Sequence, residues 1–139
     1  MSGAGKSSLL AELAGRGRRT VDTDYDGWTL PDGSWDEPRM WRLLRGSPEV
    51  VVCGTVANQG LFSAAFDHVV LLSAPIEVLL ERVAKRDGNP YGKTPEQRAE
   101  IVENLRIVEP LLRAAATVEL DGRLQPAVLA DAVEAMLDR

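Results

Sequence analysis

The first eight residues, MSGAGKSS, contain most of a phosphate-binding loop. Gly5-Lys6-Ser7 supplies the end of the pattern G-x-x-x-x-G-K-[ST], whose first glycine would stand immediately before Met1. Gly3 and Gly5 allow successive backbone N–H groups to close around an anion. Lys6 would reach the β- and γ-phosphates of ATP, and the Ser7 hydroxyl would hold Mg²⁺. The motif therefore predicts a site for the phosphates of a nucleotide.

A helix should follow the loop directly. Leu9, Leu10 and Leu13 recur at helical spacing and predict a helix over residues 6–14, whose positive end would face the same anion. A flexible Gly- and Ser-rich terminus is the alternative. Because the first glycine of the pattern and the strand before it are missing, we expect Met1 to be an internal methionine of a longer natural protein.

An acidic pair is the second candidate for chemistry. Asp22 and Asp24 flank Thr23 immediately after a short apolar stretch. Phosphoryl transfer needs a metal organiser and often a base that orients the acceptor. Asp22 would hold Mg²⁺ through water, and Asp24 would accept the proton of an acceptor hydroxyl. An acidic turn without catalytic function is the alternative.

Arginines form two further groups. Arg82 and Arg86 lie four residues apart on one predicted helical face and can clamp phosphates or stack on a base. The segment of about residues 86–95 would close over the nucleotide as a lid, although a solvated helix face remains open. Arg39, Arg42 and Arg45 form a second row, which is either an anion clamp or a surface stripe.

Strands and helices alternate along the rest of the chain. Apolar, β-branched runs predict strands over residues 19–21, 50–53, 69–73 and 117–120. Helical spacing predicts helices over 37–45, from Pro75 onward and over 125–137. A further helix should begin with Thr94 as its N-cap and run to about Ala115 with a kink or break at Pro110, and residues 54–60 should form a turn. This alternation indicates a parallel sheet with helices on both faces, and the candidate residues fall where strands end.

The length and the charge of the chain limit the kinds of function that we expect for it. The 139 residues suit one domain, so we expect a single domain over residues 1–139. The net charge of −5 argues against a non-specific nucleic-acid binder. No apolar run approaches the length of a membrane span, and no leader is visible. We therefore expect a cytoplasmic protein, monomeric or homodimeric, whose partner is a small molecule rather than a nucleic acid or a membrane.

Over nearly its whole length the chain resembles the small P-loop kinases of the shikimate, gluconate and adenylate kinase group. Residues 3–8 resemble the phosphate loop of that group, Asp22-Thr23-Asp24 the acidic pair of shikimate kinases, and residues 69–86 the strand, helix and lid start. The resemblance implies an α/β fold of three α/β/α layers, the P-loop NTPase fold. Its parallel sheet would have the order 2-3-1-4-5, with strand 1 absent from this chain.

The resemblance also implies an activity and a set of residues. The activity would be transfer of the γ-phosphate of Mg·ATP to a hydroxyl or phosphate of a small molecule whose identity stays open. Arg82 would face the adenine, Arg86 the phosphates, and Asp121-Gly122-Arg123 would border the adenine. The expected catalytic residues are Lys6, Asp24 and Arg86; the nucleotide-binding residues are Gly3, Ala4, Gly5, Lys6, Ser7, Ser8, Arg82, Asp121, Gly122 and Arg123; the metal-binding residues are Ser7 and Asp22.

Two other functions remain open from the sequence. Residues 24–27 fit the D-x-x-G pattern of a switch-type NTPase, but no N-K-x-D guanine motif follows. The partial loop also permits a nucleotide-binding module without turnover.

Overall fold

A computed structural model of the chain describes residues 4–85 and 90–138. Its elements are, in chain order, α1 (Lys6–Gly15), β1 (Thr20–Asp22), α2 (Glu37–Gly46), β2 (Val51–Cys53), a 3₁₀ helix (Gln59–Ala65), β3 (Val70–Ser73), α3 (Ile76–Lys85), α4 (Pro95–Ile107), α5 (Glu109–Ala115), β4 (Val118–Asp121) and α6 (Pro126–Leu137). None of the helices in the described part of the chain is long and apolar enough to cross a membrane.

The strands form two parallel pairs. β1 pairs with β2, with Thr20 opposite Val51 and Asp22 opposite Cys53. β3 pairs with β4, with Val70 opposite Val118 and continuing to the last residue of each strand. The predicted order 2-3-1-4-5 counts the absent strand as strand 1, so β1 and β2 correspond to strands 2 and 3, and β3 and β4 to strands 4 and 5. Both observed pairs are neighbours in that order. The predicted parallel α/β class is therefore confirmed.

The described residues fold into two compact units, which we name by their strands. The β1–β2 unit contains residues 7–67 and 126–138, and the β3–β4 unit contains residues 4–6 and 68–125 without 86–89. The expectation of one domain over the whole chain stays a prediction.

An aromatic core stabilises the β1–β2 unit. Trp35, Met40, Leu43 and Phe62 are buried together there. The rings of Trp35 and Phe62 meet edge to face, with 5.6 Å between their centroids, and Trp41 also packs on Phe62.

α2 begins with Asp36 as its N-cap, whose carboxylate accepts a hydrogen bond from the Arg39 backbone N–H.

An ion-pair network joins α1 to α6 within the same unit. Arg16, just after α1, pairs with Glu134 of α6 at 2.5 Å and with Asp131 at 2.8 Å. Arg18 pairs with Glu49, Glu134 and Asp138. Hydrogen bonds from Arg16 and Arg18 lower the pKa of the Glu134 carboxyl below its usual value. Charged groups of α6 thus fix the end of the helix that follows the phosphate loop.

In the β3–β4 unit, one N-cap fixes the start of α4, and one glycine allows close packing against α3 and α4. Thr94 caps α4, since its hydroxyl accepts from the Gln97 backbone N–H at 3.1 Å, as predicted. Gly92 has φ +92°, and a β-carbon there would overlap Val83 of α3 and approach Ile101 of α4 to 3.0 Å. Gly92, which falls in the predicted lid, therefore packs against two helices.

The predicted interruption at Pro110 divides the helix after Thr94 into α4 and α5 at Val108, because the proline ring removes an N–H donor from the helical ladder. One other detail differs from the prediction. The turn expected after residue 54 leads into a 3₁₀ helix over Gln59–Ala65. That helix is short and has no strong periodic signal in sequence.

Candidate active site

The described part of the phosphate loop has the backbone geometry that the motif requires. Gly5 has φ +98°, a left-handed conformation that favours glycine. Ala4 is buried, and α1 begins at Lys6, so the unpaired N–H groups of the first helical turn lie next to the loop. Ser7 and Ser8 are exposed in that turn. Gly3 lies outside the described residues.

The loop after β4 packs directly on this segment. An ideal β-carbon on Gly122 would lie 2.5 Å from the Ala4 carbonyl oxygen and 3.2 Å from that of Ser73. The Gly122 N–H donates to the Ser73 carbonyl at 2.7 Å. Only glycine therefore fits at position 122 without moving the phosphate loop.

Arg82 joins the same cluster. Its Nη1 donates to the Gly122 carbonyl at 2.6 Å and lies 3.6 Å from the position of a β-carbon on Gly5. Four of the predicted nucleotide-binding residues, Ala4, Gly5, Arg82 and Gly122, are thus brought together in the β3–β4 unit. Arg86, the second predicted arginine, lies outside the described residues.

Asp121 and Arg123 pair with each other. The guanidinium of Arg123 donates to both carboxylate oxygens of Asp121, with Nη2 to Oδ2 at 2.9 Å. This bonding lowers the pKa of Asp121, and the charge of Arg82 adds to the effect. Both residues line a cleft of about 450 Å³, together with Ser73 and Glu109.

The acidic pair is held at the end of β1 in the β1–β2 unit. Thr23, between the two aspartates, is 1% exposed, and both its N–H and its hydroxyl donate to the Cys53 carbonyl, at 2.9 and 2.8 Å. The Asp24 N–H donates to Asp22 Oδ1 at 3.1 Å. Asp24 is exposed and Asp22 half-buried. A buried, hydrogen-bonded threonine therefore fixes the backbone between the two aspartate carboxylates.

Two neighbouring residues complete this arrangement, and their roles were not predicted. A β-carbon on Gly54 would overlap the Thr23 hydroxyl and would lie 3.6 Å from Trp35 Cζ2. Asn58 holds the Trp35 backbone, accepting from its N–H at 2.9 Å and donating to its carbonyl at 3.1 Å. The only sequence signal for Gly54 was its position at the end of a predicted strand.

The arginine row on α2 is divided by the structure. Arg39 reaches back to the loop after β1: its Nη1 donates to the Asp26 carbonyl at 2.7 Å, and its Cζ lies 3.9 Å from the centroid of the Trp28 ring. Arg42 is exposed and makes no hydrogen bond or ion pair with the described residues. Arg45 donates to the Trp41 carbonyl. The three side chains therefore share no partner among the described residues, and the choice between an anion clamp and a surface stripe stays a prediction.

Oxygen ligands suited to Mg²⁺ are available at the two residues predicted for it. Mg²⁺ usually binds one or two protein oxygens and fills its other positions with water and substrate phosphates. The Ser7 hydroxyl lies in the first turn of α1, and the Asp22 carboxylate lies at the end of β1. Both oxygens are of the hard type that Mg²⁺ prefers, so these residues fit such a site.

Comparison with known proteins identifies relatives of this chain by sequence. It is 32% identical over 163 aligned residues to a shikimate kinase of Rhizobium leguminosarum bv. trifolii, covering 99% of this chain and 81% of that protein. It is also 32% identical to a shikimate kinase of Nitrobacter winogradskyi, covering 83% of this chain and 63% of that protein. A search against models of protein families found no match.

A solved structure supports the fold. A shikimate kinase from Acinetobacter baumannii, determined in complex with shikimate, superposes with a TM-score of 0.65 over 97% of this chain and 86% of that one. At 21% identity this likeness establishes the fold alone.

Proposed function

We propose that shikimate is the phosphoryl acceptor of this protein. The premise is that the chain belongs to the shikimate kinase family. It is therefore an ATP-dependent kinase that uses Mg²⁺ and phosphorylates a hydroxyl of a small molecule. The switch-type NTPase and the module without turnover are not favoured. The name shared by the relatives supports the choice of acceptor, as does the shikimate bound in the superposed structure.

One observation carries the proposal, namely the anchoring of Thr23. Its two hydrogen bonds to the Cys53 carbonyl fix the backbone between Asp22 and Asp24, so each carboxylate is attached to a rigid stretch of backbone. Catalysis by positioning depends on such rigidity. Asp24, whose carboxylate is exposed, would orient the acceptor hydroxyl, while Asp22 would hold Mg²⁺ through water.

The proposed step is direct phosphoryl transfer. The acceptor hydroxyl oxygen attacks the γ-phosphorus of ATP, the bond from that phosphorus to the β,γ-bridging oxygen breaks, and ADP leaves. The hydroxyl proton passes to the Asp24 carboxylate. Lys6 compensates the negative charge that develops on the phosphate oxygens, and the backbone N–H groups around Gly5 hold the phosphates.

The remaining nucleotide roles are those that the family resemblance implies, and the cluster around Gly122 supports them. The Arg82 guanidinium would face the adenine, and Asp121-Gly122-Arg123 would form its border, since the loop packs on Ala4. The proposal also places the enzyme in the cytoplasm, where ATP is available, as a monomer or a homodimer. The net charge of −5 supports a small-molecule partner rather than a nucleic acid.

The test is ADP release from Mg·ATP in the presence of single acceptors. Shikimate, quinate, gluconate, a nucleoside and a nucleoside monophosphate would each be supplied to the purified chain. We expect ADP release that depends on shikimate, with one phosphate transferred per ADP formed. Release that depends on another acceptor, or on none, would overturn shikimate as the substrate.

A further inference from the structure

We propose that Arg39 is a positioning residue that fixes the turn after Asp24, and that it does not itself bind the acceptor. The proposal deepens the proposed function, on which its kinetic part rests. Its physical basis is a pair of contacts that Arg39 makes on both sides of one strained turn in the β1–β2 unit.

The turn is strained because two consecutive residues are left-handed. Asp26 has φ +63° and Gly27 has φ +73°. This conformation suits glycine, but it is unfavourable for an aspartate, whose β-carbon crowds the backbone. Such a turn persists only when its surroundings hold it, so the contacts to residues 26–28 matter for its geometry.

Arg39 supplies those contacts from α2. Its Nη1 donates to the Asp26 carbonyl at 2.7 Å, and its guanidinium lies over the Trp28 ring at 3.9 Å. The same nitrogen lies 3.5 Å from the position of a β-carbon on Gly27, so a side chain there would reach it. The N-cap hydrogen bond from the Arg39 backbone to Asp36 fixes the start of the helix that carries it. One side chain thus holds the turn from both ends.

Asp24 needs this second attachment. Upstream of it, Thr23 is fixed to the Cys53 carbonyl by two hydrogen bonds. Downstream, Asp24 and Tyr25 are exposed, and their N–H groups donate only to the Asp22 side chain and carbonyl within the same loop. The Arg39 bond to the Asp26 carbonyl is the next contact that comes from another element. If residues 26–28 moved, the Asp24 carboxylate would swing about Thr23 and lose its alignment with the acceptor hydroxyl.

The guanidinium group is specifically suited to this role. It is planar, stacks on an aromatic face and donates in a fixed direction at the same time, whereas a lysine ammonium is a compact point charge on a flexible stem. Arg39→Lys therefore keeps the charge but cannot make both contacts at once. This substitution separates a geometric role from a purely electrostatic one.

The first test is the kinetics of Arg39→Lys with shikimate, or with whichever acceptor supports ADP release. We expect kcat to fall about 10- to 100-fold, as for a small misplacement of a catalytic group, while KM for the acceptor stays within about twofold. Arg19→Lys changes an exposed arginine of the same unit that makes no side-chain hydrogen bond or ion pair with the described residues, so it is the matched control and should leave both constants unchanged. A raised acceptor KM with unchanged kcat would show that Arg39 binds the acceptor and would overturn the proposal.

The second test does not depend on activity. Amide hydrogen exchange of residues 24–28 should be at least about tenfold faster in Arg39→Lys than in Arg19→Lys or the parent chain. Unchanged exchange would overturn the proposed attachment, even if no acceptor were ever found. Should Arg39→Lys fail to fold, Trp28→Leu removes the stacking partner instead and should accelerate exchange in the same residues.

Discussion

Gly54 lies so close to Thr23 that a β-carbon at position 54 would overlap the threonine hydroxyl. Gly54→Ala must therefore displace the residue that stands between the two aspartates. We expect a loss of about 1–3 kcal/mol in the free energy of unfolding, together with a lower kcat. Urea denaturation and ADP release measure the two effects. Gly46→Ala is the control, since nothing lies within 4 Å of a β-carbon there, and equal stability of the two variants would contradict the prediction.

Gly122→Ala tests the contact between the loop after β4 and the phosphate loop. Its β-carbon would lie 2.5 Å from the Ala4 carbonyl oxygen, so the phosphate loop must shift. We expect the Kd for ATP to rise about tenfold or more, equivalent to about 1.4 kcal/mol. Isothermal titration calorimetry with Mg·ATP measures it, with Gly60→Ala as the control because its β-carbon would meet open space. An unaltered Kd would mean that this contact does not shape the nucleotide site.

Lys6→Ala removes the proposed charge compensation at the phosphates. We expect kcat to fall about 100- to 1,000-fold, the range seen when one stabilising donor of a transition state is lost. Lys85→Ala is the matched control, because Lys85 forms only an exposed pair with Glu81 at 2.7 Å among the described residues. Retained turnover in Lys6→Ala would remove Lys6 from the catalytic residues.

Asp24→Asn removes the proposed proton acceptor but keeps the size of the side chain. We expect kcat to fall about 100-fold or more, while the Kd for ATP stays within about twofold. Single-turnover kinetics and calorimetry separate the two. Asp67→Asn, a change at another exposed aspartate of the same unit, should leave both values unaltered. Loss of ATP affinity alone would exclude the acceptor role.

Glu119 should make the β3–β4 unit sensitive to acid. Hydrogen bonds from Arg113 and Ser73 hold the pKa of Glu119 at about 2, below its ordinary 4.5. Because the folded value is the lower one, this carboxylate stabilises the fold above pH 4.5, and the contribution is lost as the pH falls toward about 2. The melting temperatures of the parent chain and of Glu119→Gln should therefore differ at neutral pH and converge over that interval. A difference that stayed constant with pH would contradict the assignment, and 1 M salt should reduce it.

The elements of the fold were predictable because they depend on local spacing. Four strands and the helices between them begin within a residue or two of the predicted positions, and the Thr94 cap was read from its own neighbours. Pro110 was recognised as a break for the same local reason. The family resemblance rested on the phosphate loop and the acidic pair, which are also local motifs.

The contacts that shape the candidate site were not predictable, because they join residues far apart in sequence. The bonds from Thr23 to Cys53 span 30 residues and depend on the register of two strands. The approach of Gly122 to Ala4 depends on the packing of the loop after β4. For Arg39, helical spacing placed it in a row with Arg42 and Arg45, but spacing alone could not show which of them reaches Trp28.

The ion pairs of Arg16 and Arg18 have a consequence for how the protein is made. Their partners on α6, Asp131 and Glu134, lie 115 to 118 residues later in the chain, so they are synthesised long after the two arginines. On the ribosome, the β1–β2 unit must wait for that helix, whereas residues 68–125 of the β3–β4 unit have all been synthesised before it. The unit that carries the acidic pair therefore reaches its final form only after α6 has been synthesised.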